Sequence, residues 1–207
     1  MARYGEAFCR LCRRTGDKLM LKGSRCITKC AMERREGPPG PKISRRRRPS
    51  ERGIQLREKQ RARFVYGIME GQFRRLFAQA ERQAGITGDN LAVLLERRLD
   101  NVVYRLGFAE SRAQARQLVQ HGHILVNGHK TDIPSYTTKE GDTITWRPES
   151  AKNDYYKQLV EVIGSRTVVN WLSLDKETTT GRVVSLPTPD IIDTRIDGKA
   201  IVEFYSR

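Results

Sequence analysis

Beyond residue 30 this chain of 207 residues has no cysteine at all, and its four cysteines all precede that point. Aromatic residues are scarce at 7%, and there are three histidines. No run of about 18 apolar residues occurs, so a membrane-spanning helix is not expected. The start, MARYGEAFC, lacks the apolar stretch of a secretory signal. Its cysteine motif begins so early that a cleavable transit peptide is not expected either. There is no Walker phosphate loop, no H-E-x-x-H and no G-x-S-x-G, which removes the enzyme classes those motifs mark. The chain therefore reads as a non-enzyme without a small-molecule substrate. Acidic residues are sparse in one region only. Residues 1–63 carry 6 Asp and Glu against 20 Lys and Arg, a net of +14 within a total of +15. Residues 64–207 are almost balanced, at 18 against 19. A polycationic leader seeks a polyanion, and with no membrane span a nucleic acid fits better than a lipid surface.

The cysteines Cys9, Cys12, Cys26 and Cys30 are spaced C-x2-C-x13-C-x3-C. Two close pairs joined by a loop can bring four thiolates to the corners of a tetrahedron, which suits Zn2+. Arg10, Arg13, Arg14, Arg25 and Lys29 surround them and favour the thiolate form. An iron–sulfur cluster is the minor alternative, since four thiolates bind either. Two disulfides or a redox C-x-x-C are further readings, weakened by the absence of secretory or βαβ features. With all four positions filled by protein, such a metal is structural, a staple for a segment too small to fold unaided. A reducing interior follows, the cytosol or an organelle matrix.

Residues 37–50, GPPGPKISRRRRPS, carry four prolines and the run Arg45, Arg46, Arg47 and Arg48. Proline forbids a helix and the arginines repel one another, so an extended linker is expected. Residues 41–63 hold 10 basic and 2 acidic residues. They read as a solvated linker, a localisation signal, or an arm that orders along phosphates. Ser50 caps a helix running to Tyr66, with Gly67 as its stop. A second helix is expected from Glu70 to Ala84, burying Phe73, Leu76, Phe77 and Ala80 and leaving Arg74, Arg75 and Arg82 outside.

Residues 97–146 form the most informative stretch. One helix is expected from about Asn90 to Leu106, closed by Gly107, with Leu91, Leu95, Leu99, Val102 and Leu106 on one side. Arg98, Asn101 and Arg105 then form a separate polar stripe, facing a ligand or pairing with acids of a neighbouring domain. Ser111-Arg112-Ala113-Gln114 has the form of a capping box. The helix it opens buries Ala115, Leu118 and Val119 and turns Arg112, Arg116, Gln117, Gln120 and His121 outward. Forked guanidiniums and amides suit phosphate and 2′-hydroxyl oxygens. Ile124 and Val126 alternate with His123, Leu125 and Asn127, and Asn127-Gly128 is a strong hairpin signal. The hairpin offers His123, Asn127 and Lys130 to the same face. His121-x-His123 has no cysteine or carboxylate at ligand spacing, so a polar role fits it better than a metal. Thr143–Trp146 reads as a further strand.

In the last third a helix is expected over 149–163, with Tyr155, Leu159 and Val162 inward. Trp171–Leu174, Arg182–Leu186 and Ala200–Phe204 are strand candidates around a turn at 176–181. The fold class is α+β: a four-cysteine metal knuckle and a helical domain, then short helices packed on a small, mostly antiparallel sheet. The expected divisions are 1–36 (metal segment), 37–50 (linker), 51–88 (helices, with 190–207 a candidate to complete them) and 89–189 (the α+β domain, core module 97–146).

The run RRLDNVVYRLGF…SRAQARQLVQHGHILVNGHK resembles the RNA-binding module of the bacterial-type small-subunit ribosomal protein four family. That module recurs in pseudouridine synthases and tyrosyl-tRNA synthetases. CRLCRR, RRRRPSERGIQLREKQRARFVYGI and NWLSLD…IVEFYSR extend the resemblance over almost the whole chain, to the zinc type of that family with four N-terminal cysteines. The resemblance implies a structural component of the small ribosomal subunit, in the cytoplasm or an organelle. It implies a primary binder of a multi-helix junction in the 5′ domain of small-subunit rRNA, which nucleates assembly of the subunit body. It also implies contacts with ribosomal protein five, bearing on translational accuracy, with other small-subunit proteins, and with mRNA where it enters. Family RNA contacts map onto Arg98, Arg105, Arg112, Arg116, Gln117, His121, His123 and Asn127. They map as well onto Arg45 to Arg48, Lys59, Arg61 and Arg63. The alternatives are an RNA-modifying enzyme using the module as a handle, and a zinc-dependent nucleic-acid-binding regulator.

Overall fold

The computed structural model describes residues 4–35, 37–41, 48–189 and 196–206. The chain divides into two compact units, one of residues 1–92 and 193–207, the other of residues 93–192.

The first unit begins with three short helices, α1 (Phe8–Thr15), α2 (Ser24–Thr28) and α3 (Ala31–Arg34). Helix α4 (Glu51–Tyr66) starts where Ser50 Oγ accepts the Gly53 N–H at 3.2 Å and ends at Gly67, whose φ of 62° is left-handed. Helix α5 (Glu70–Glu81) buries Phe73, Phe77 and Ala80, keeps Leu76 half-buried and leaves Arg74, Arg75 and Arg82 exposed. The tail is not a strand. Residues Gly198–Tyr205 form helix α10, capped by Asp197, whose carboxylate accepts the Ala200 N–H at 3.1 Å. The β-branched, largely apolar run Ala-Ile-Val-Glu-Phe suggests a strand, but packing decides: α10 lies against α4, and the Tyr205 ring sits 4.5 Å from that of Phe77.

Helix α6 (Thr87–Glu96) spans the division, and here the expectation of one helix to Leu106 fails. The chain breaks at Arg97 and Arg98, and α7 runs from Leu99 to Arg105. Nothing local forbids a helix in Leu-Glu-Arg-Arg-Leu. The competing force is tertiary: Leu99 and Asp100 donate their N–H groups to the Tyr136 and Pro134 carbonyls at 2.8 and 3.2 Å, and Thr138 N–H returns to Arg97. Arg98 takes an extended conformation and forms an isolated bridge with Thr137.

Helix α8 (Arg112–Gln120) follows the cap Ser111, which accepts the Gln114 N–H at 3.3 Å. The reciprocal bond of the box shifts by one residue: Gln114 Oε1 accepts from the Glu110 N–H at 2.9 Å. A five-stranded antiparallel sheet holds β1 (Ile124–Val126), β2 (His129–Lys130), β3 (Thr143–Trp146), β4 (Leu172–Asp175) and β5 (Thr180–Val183) in the order β2-β1-β3-β5-β4. Asn127 and Gly128, with φ of 51° and 79°, turn the β1–β2 hairpin as two left-handed residues must. The 149–163 segment is a 3-10 turn (Pro148–Lys152) followed by α9 (Asp154–Ile163). Leu159 and Ile163 are its buried residues, whereas Val162 is exposed, against expectation.

Helices α7, α8 and α9 and the inward residues of the sheet share one core, including Val102, Leu106, Val119, Ile124, Ile144, Leu159 and Trp171. Where β5 meets α7, Gly181 has no room for a side chain, because a Cβ there would run into both Leu106 methyl groups. Gly181→Ala should therefore cost about 1–3 kcal/mol by overpacking. Urea unfolding measures it, and an unchanged midpoint would mean Leu106 moves aside freely.

Candidate nucleic-acid interface

The break between α6 and α7 folds the polar stripe inward. Arg98 donates from Nε and Nη2 to the Asp100 carboxylate at 3.1 and 3.0 Å. Arg116 reaches the same carboxylate from α8, with Nε 2.9 Å from Oδ2. Glu96 forms the second centre. It accepts from Arg105 at 2.8 and 3.0 Å and from Asn101 Nδ2 at 2.7 Å. Arg112 donates Nε to Asn101 Oδ1 at 2.8 Å and stands 4.6 Å over the Tyr104 ring. Glu96, Arg98, Asp100 and Asn101 are each no more than 2% exposed. Arg98 and Arg116 are thus enclosed rather than turned outward, while Arg105 and Arg112 keep edges at the surface. The acids that hold them, Glu96 and Asp100, belong to the same unit and not to a neighbour. Four guanidiniums converging on two carboxylates make a rigid, net-cationic block, the charge type that seats phosphates.

Along α8, Gln117 and the capping His121 are exposed or half-exposed, as expected. His123 is half-buried instead. Its Nδ1 lies 2.9 Å from Ser150 Oγ, and its ring stacks 6.5 Å from Trp146. Burial, then the charges of His121 and Arg147, pull its pKa below the ordinary imidazole value. A histidine with a depressed folded pKa adds stability above its unfolded value, and that contribution fades as pH falls toward the folded value. The urea midpoint should therefore drop between pH 7 and pH 5, and drop less in His123→Gln. Equal acid sensitivity in both chains would reject this coupling. Asn127 is exposed, yet its amide serves the hairpin, donating to Asp142 Oδ1 and accepting from the Thr143 N–H, both at 2.9 Å. Lys130 is exposed, with its stem laid over Gly122.

In the first unit, Arg52 and Arg57 of the expected arm are exposed, whereas Lys59, Arg61 and Arg63 turn toward acids of the same unit. Lys59 is 5% exposed, 2.9 Å from Glu70 and 4.5 Å from the Phe204 ring centre. Arg63 also pairs with Glu70 at 2.9 Å, and Arg61 pairs with Glu58 and Asp17. Burial would raise the Glu70 carboxyl, but hydrogen bonds from Lys59 and Tyr205 and the charges of Lys59 and Arg63 outweigh it, holding it below the usual range. Burial and the bond to Glu70 push the Tyr205 phenol upward. Lys59, Arg61 and Arg63 thus have carboxylate partners within the first unit and join α4 to its neighbours. Arg48 is exposed, and Arg45, Arg46 and Arg47 lie outside the described residues.

Cys9 and Cys12 lie on α1, Cys26 on α2, and Cys30 precedes α3. Cys12, Cys26 and Cys30 are buried, and Cys9 is half-buried. Burial raises the Cys12 thiol, a backbone hydrogen bond with Leu19 offsets part of that, and the neighbouring cysteines raise it further. The Lys22 N–H donates to Cys26 Sγ at 3.3 Å. Among the described residues no three His, Cys, Asp or Glu side chains are gathered as a metal cage. Also among them, no helix is long and apolar enough to cross a membrane.

Residue patterns missed Glu96 and Asp100 as organisers and Tyr104 as the support beneath Arg112. The signal was present, since the two acids stand four apart inside ERRLDN, flanking Arg98, which Asp100 binds. Two family models match the chain, "Ribosomal protein S4/S9 N-terminal domain" over residues 3–96 and "S4 domain" over residues 97–144. The chain is 58% identical over 207 residues to small ribosomal subunit protein uS4 of Dehalococcoides mccartyi (strain CBDB1), covering 100% of both chains. It is 54% identical over 209 residues to that of Syntrophomonas wolfei subsp. wolfei, again over 100% of both. The uS4 protein of Halothermothrix orenii is likewise 54% identical, over 208 residues and 100% of both chains.

Proposed function

Because the chain belongs to the ribosomal protein uS4 family, with an S4/S9 N-terminal domain followed by an S4 domain, we propose that it is a structural, non-enzymatic, rRNA-binding component of the small ribosomal subunit in the cytoplasmic ribosome. The observation that carries the reading is the guanidinium block of the S4 domain, in which Glu96 and Asp100 hold Arg98, Arg105, Arg112 and Arg116 in place. Fixed donors lose little freedom when they meet a phosphate surface. Affinity comes mainly from phosphate neutralisation and specificity from RNA shape, because A-form RNA hides its base edges in a deep groove. The finer proposal is that the RNA is a multi-helix junction of the 5′ domain, and that binding there nucleates assembly of the subunit body. Contacts with ribosomal protein five and with incoming mRNA complete it. The test is competition for the full chain between small-subunit rRNA, duplex DNA and a random polyanion of equal charge. Protection of one junction, with rRNA preferred, is the expected result. Preference for the duplex would favour a DNA-binding regulator, and isomerised uridine in the bound RNA would favour a modifying enzyme.

For the cysteines the proposal is a structural zinc ion held by Cys9, Cys12, Cys26 and Cys30. Support comes from the donor set, four thiols of which three are buried, and from a backbone N–H already directed at Cys26. Zinc would stabilise the thiolates and staple three short helices. Chain purified without chelator should carry about one zinc, as four-thiolate structural sites do. Iron instead of zinc would point to a cluster, and no metal would remove the assignment.

A further inference from the structure

Asn101 is 1% exposed, so it cannot itself touch a ligand. Its side chain nevertheless links two groups in a fixed sense. Nδ2 donates to the Glu96 carbonyl at 2.9 Å and to Glu96 Oε2 at 2.7 Å. Both of those are acceptors only, so the amide can stand in one orientation, with Oδ1 facing away from Glu96. In that orientation Oδ1 receives Arg112 Nε at 2.8 Å. A flipped amide would set an NH2 against a guanidinium N–H. Arg112 is also fixed from below by the Tyr104 ring, at 4.6 Å, and its side chain remains 14% exposed. Glu96 in turn is held by Arg105 at 2.8 Å. A guanidinium anchored at Nε and supported on an aromatic face has little rotamer freedom left, and the direction of its outer edge is set.

We infer that Asn101, oriented by Glu96, is a positioning residue that aims the Arg112 guanidinium at a phosphate or ribose oxygen of the bound RNA. This rests on the rRNA-binding reading above. It makes an acid an aid to RNA binding: Glu96 opposes phosphate by charge but favours it by geometry. The competing account is that Asn101 only ties α7 to the end of α6, in which case its removal weakens binding through the fold, whatever stands at position 112.

A double-mutant cycle on the full chain separates the two. Binding to an rRNA fragment containing the junction is measured for the parent, Asn101→Leu, Arg112→Ala and the double variant, with folding followed by circular dichroism. Asn101→Leu leaves the net charge unchanged and should weaken binding about tenfold, the effect of one charge-assisted hydrogen bond. In the Arg112→Ala background the same change should cost less than about twofold, because residues acting through one contact are not additive. Glu96→Gln removes a negative charge and should still weaken binding, and should do so less once Arg112 is absent, the remainder passing through Arg105. If the leucine variant does not fold, Asn101→Ser carries the same cycle. Equal losses in both backgrounds, or tighter binding by Glu96→Gln, overturn the inference while leaving RNA binding intact. A parent chain with no preference for rRNA over a random polyanion overturns the function and this inference together.

Discussion

Asp100→Ala is expected to destabilise the second unit by about 3–5 kcal/mol, because it strands buried charge rather than merely deleting a bond. Asp100 is 2% exposed and pairs with both Arg98, itself 2% exposed, and Arg116, at 9%. Without the carboxylate two guanidiniums face each other with little water to separate them. The peptide N–H of residue 100 also bonds to Pro134, so the substitution acts where α7 begins. Asp100→Asn keeps the shape and one acceptor and should cost less than alanine. Arg74→Ala, on an exposed face of α5, should stay within about 0.5 kcal/mol of the parent. Urea unfolding of the three chains at neutral pH makes the comparison. An Asp100→Ala chain as stable as Arg74→Ala would show that the pair is hydrated and weak, and the pre-organised block would lose its main support.

Features written in adjacent residues were legible in the sequence. Ser50, Ser111, Gly67 and Asn127-Gly128 act within a few residues of themselves, so their caps and turn could be read directly. The apolar run of β1, the alternation of β3 and the apolar face of α5 are equally local. The break at Arg97 and Arg98 was not legible, because the groups that capture the Leu99 and Asp100 N–H donors lie more than thirty residues later, at Tyr136 and Pro134. That one break rotates Arg98 out of the expected stripe and onto Asp100. Lys59 shows the same limit. Its charge reads as a phosphate contact, but its partners Glu70 and Phe204 arrive through a helix hairpin and the far end of the chain. Helix α10 needed α4 and Phe77 to become a helix. Charge is visible in a sequence; which charges are already satisfied is a property of the fold.

That distinction sets the second large effect, on RNA binding. Replacing Arg45, Arg46, Arg47 and Arg48 by glutamine should flatten the dependence of log K on log salt by roughly 3, at about 0.7–0.9 for each phosphate no longer neutralised. The affinity at low salt should fall by roughly a hundredfold or more, since counterion release dominates binding by such segments. Charge and sequence alone carry this expectation, because residues 45–47 lie outside the described part of the chain. The rest of the cation set sharpens it. Lys59, Arg61 and Arg63 already face carboxylates in the first unit, and Arg98, Arg105, Arg112 and Arg116 share Glu96 and Asp100 in the second. Neutralising those inner cations mixes weakened binding with weakened folding, and each starts from a partly compensated charge. The run 45–48 has four successive positive charges and no acid within it. Binding measured over a salt series should therefore show the run contributing more to the slope than any four inner cations taken together. A slope unchanged by the glutamine replacement would place the electrostatic grip on other cations, such as the exposed Arg52, Arg57 and Lys130 and the exposed edges of Arg105 and Arg112.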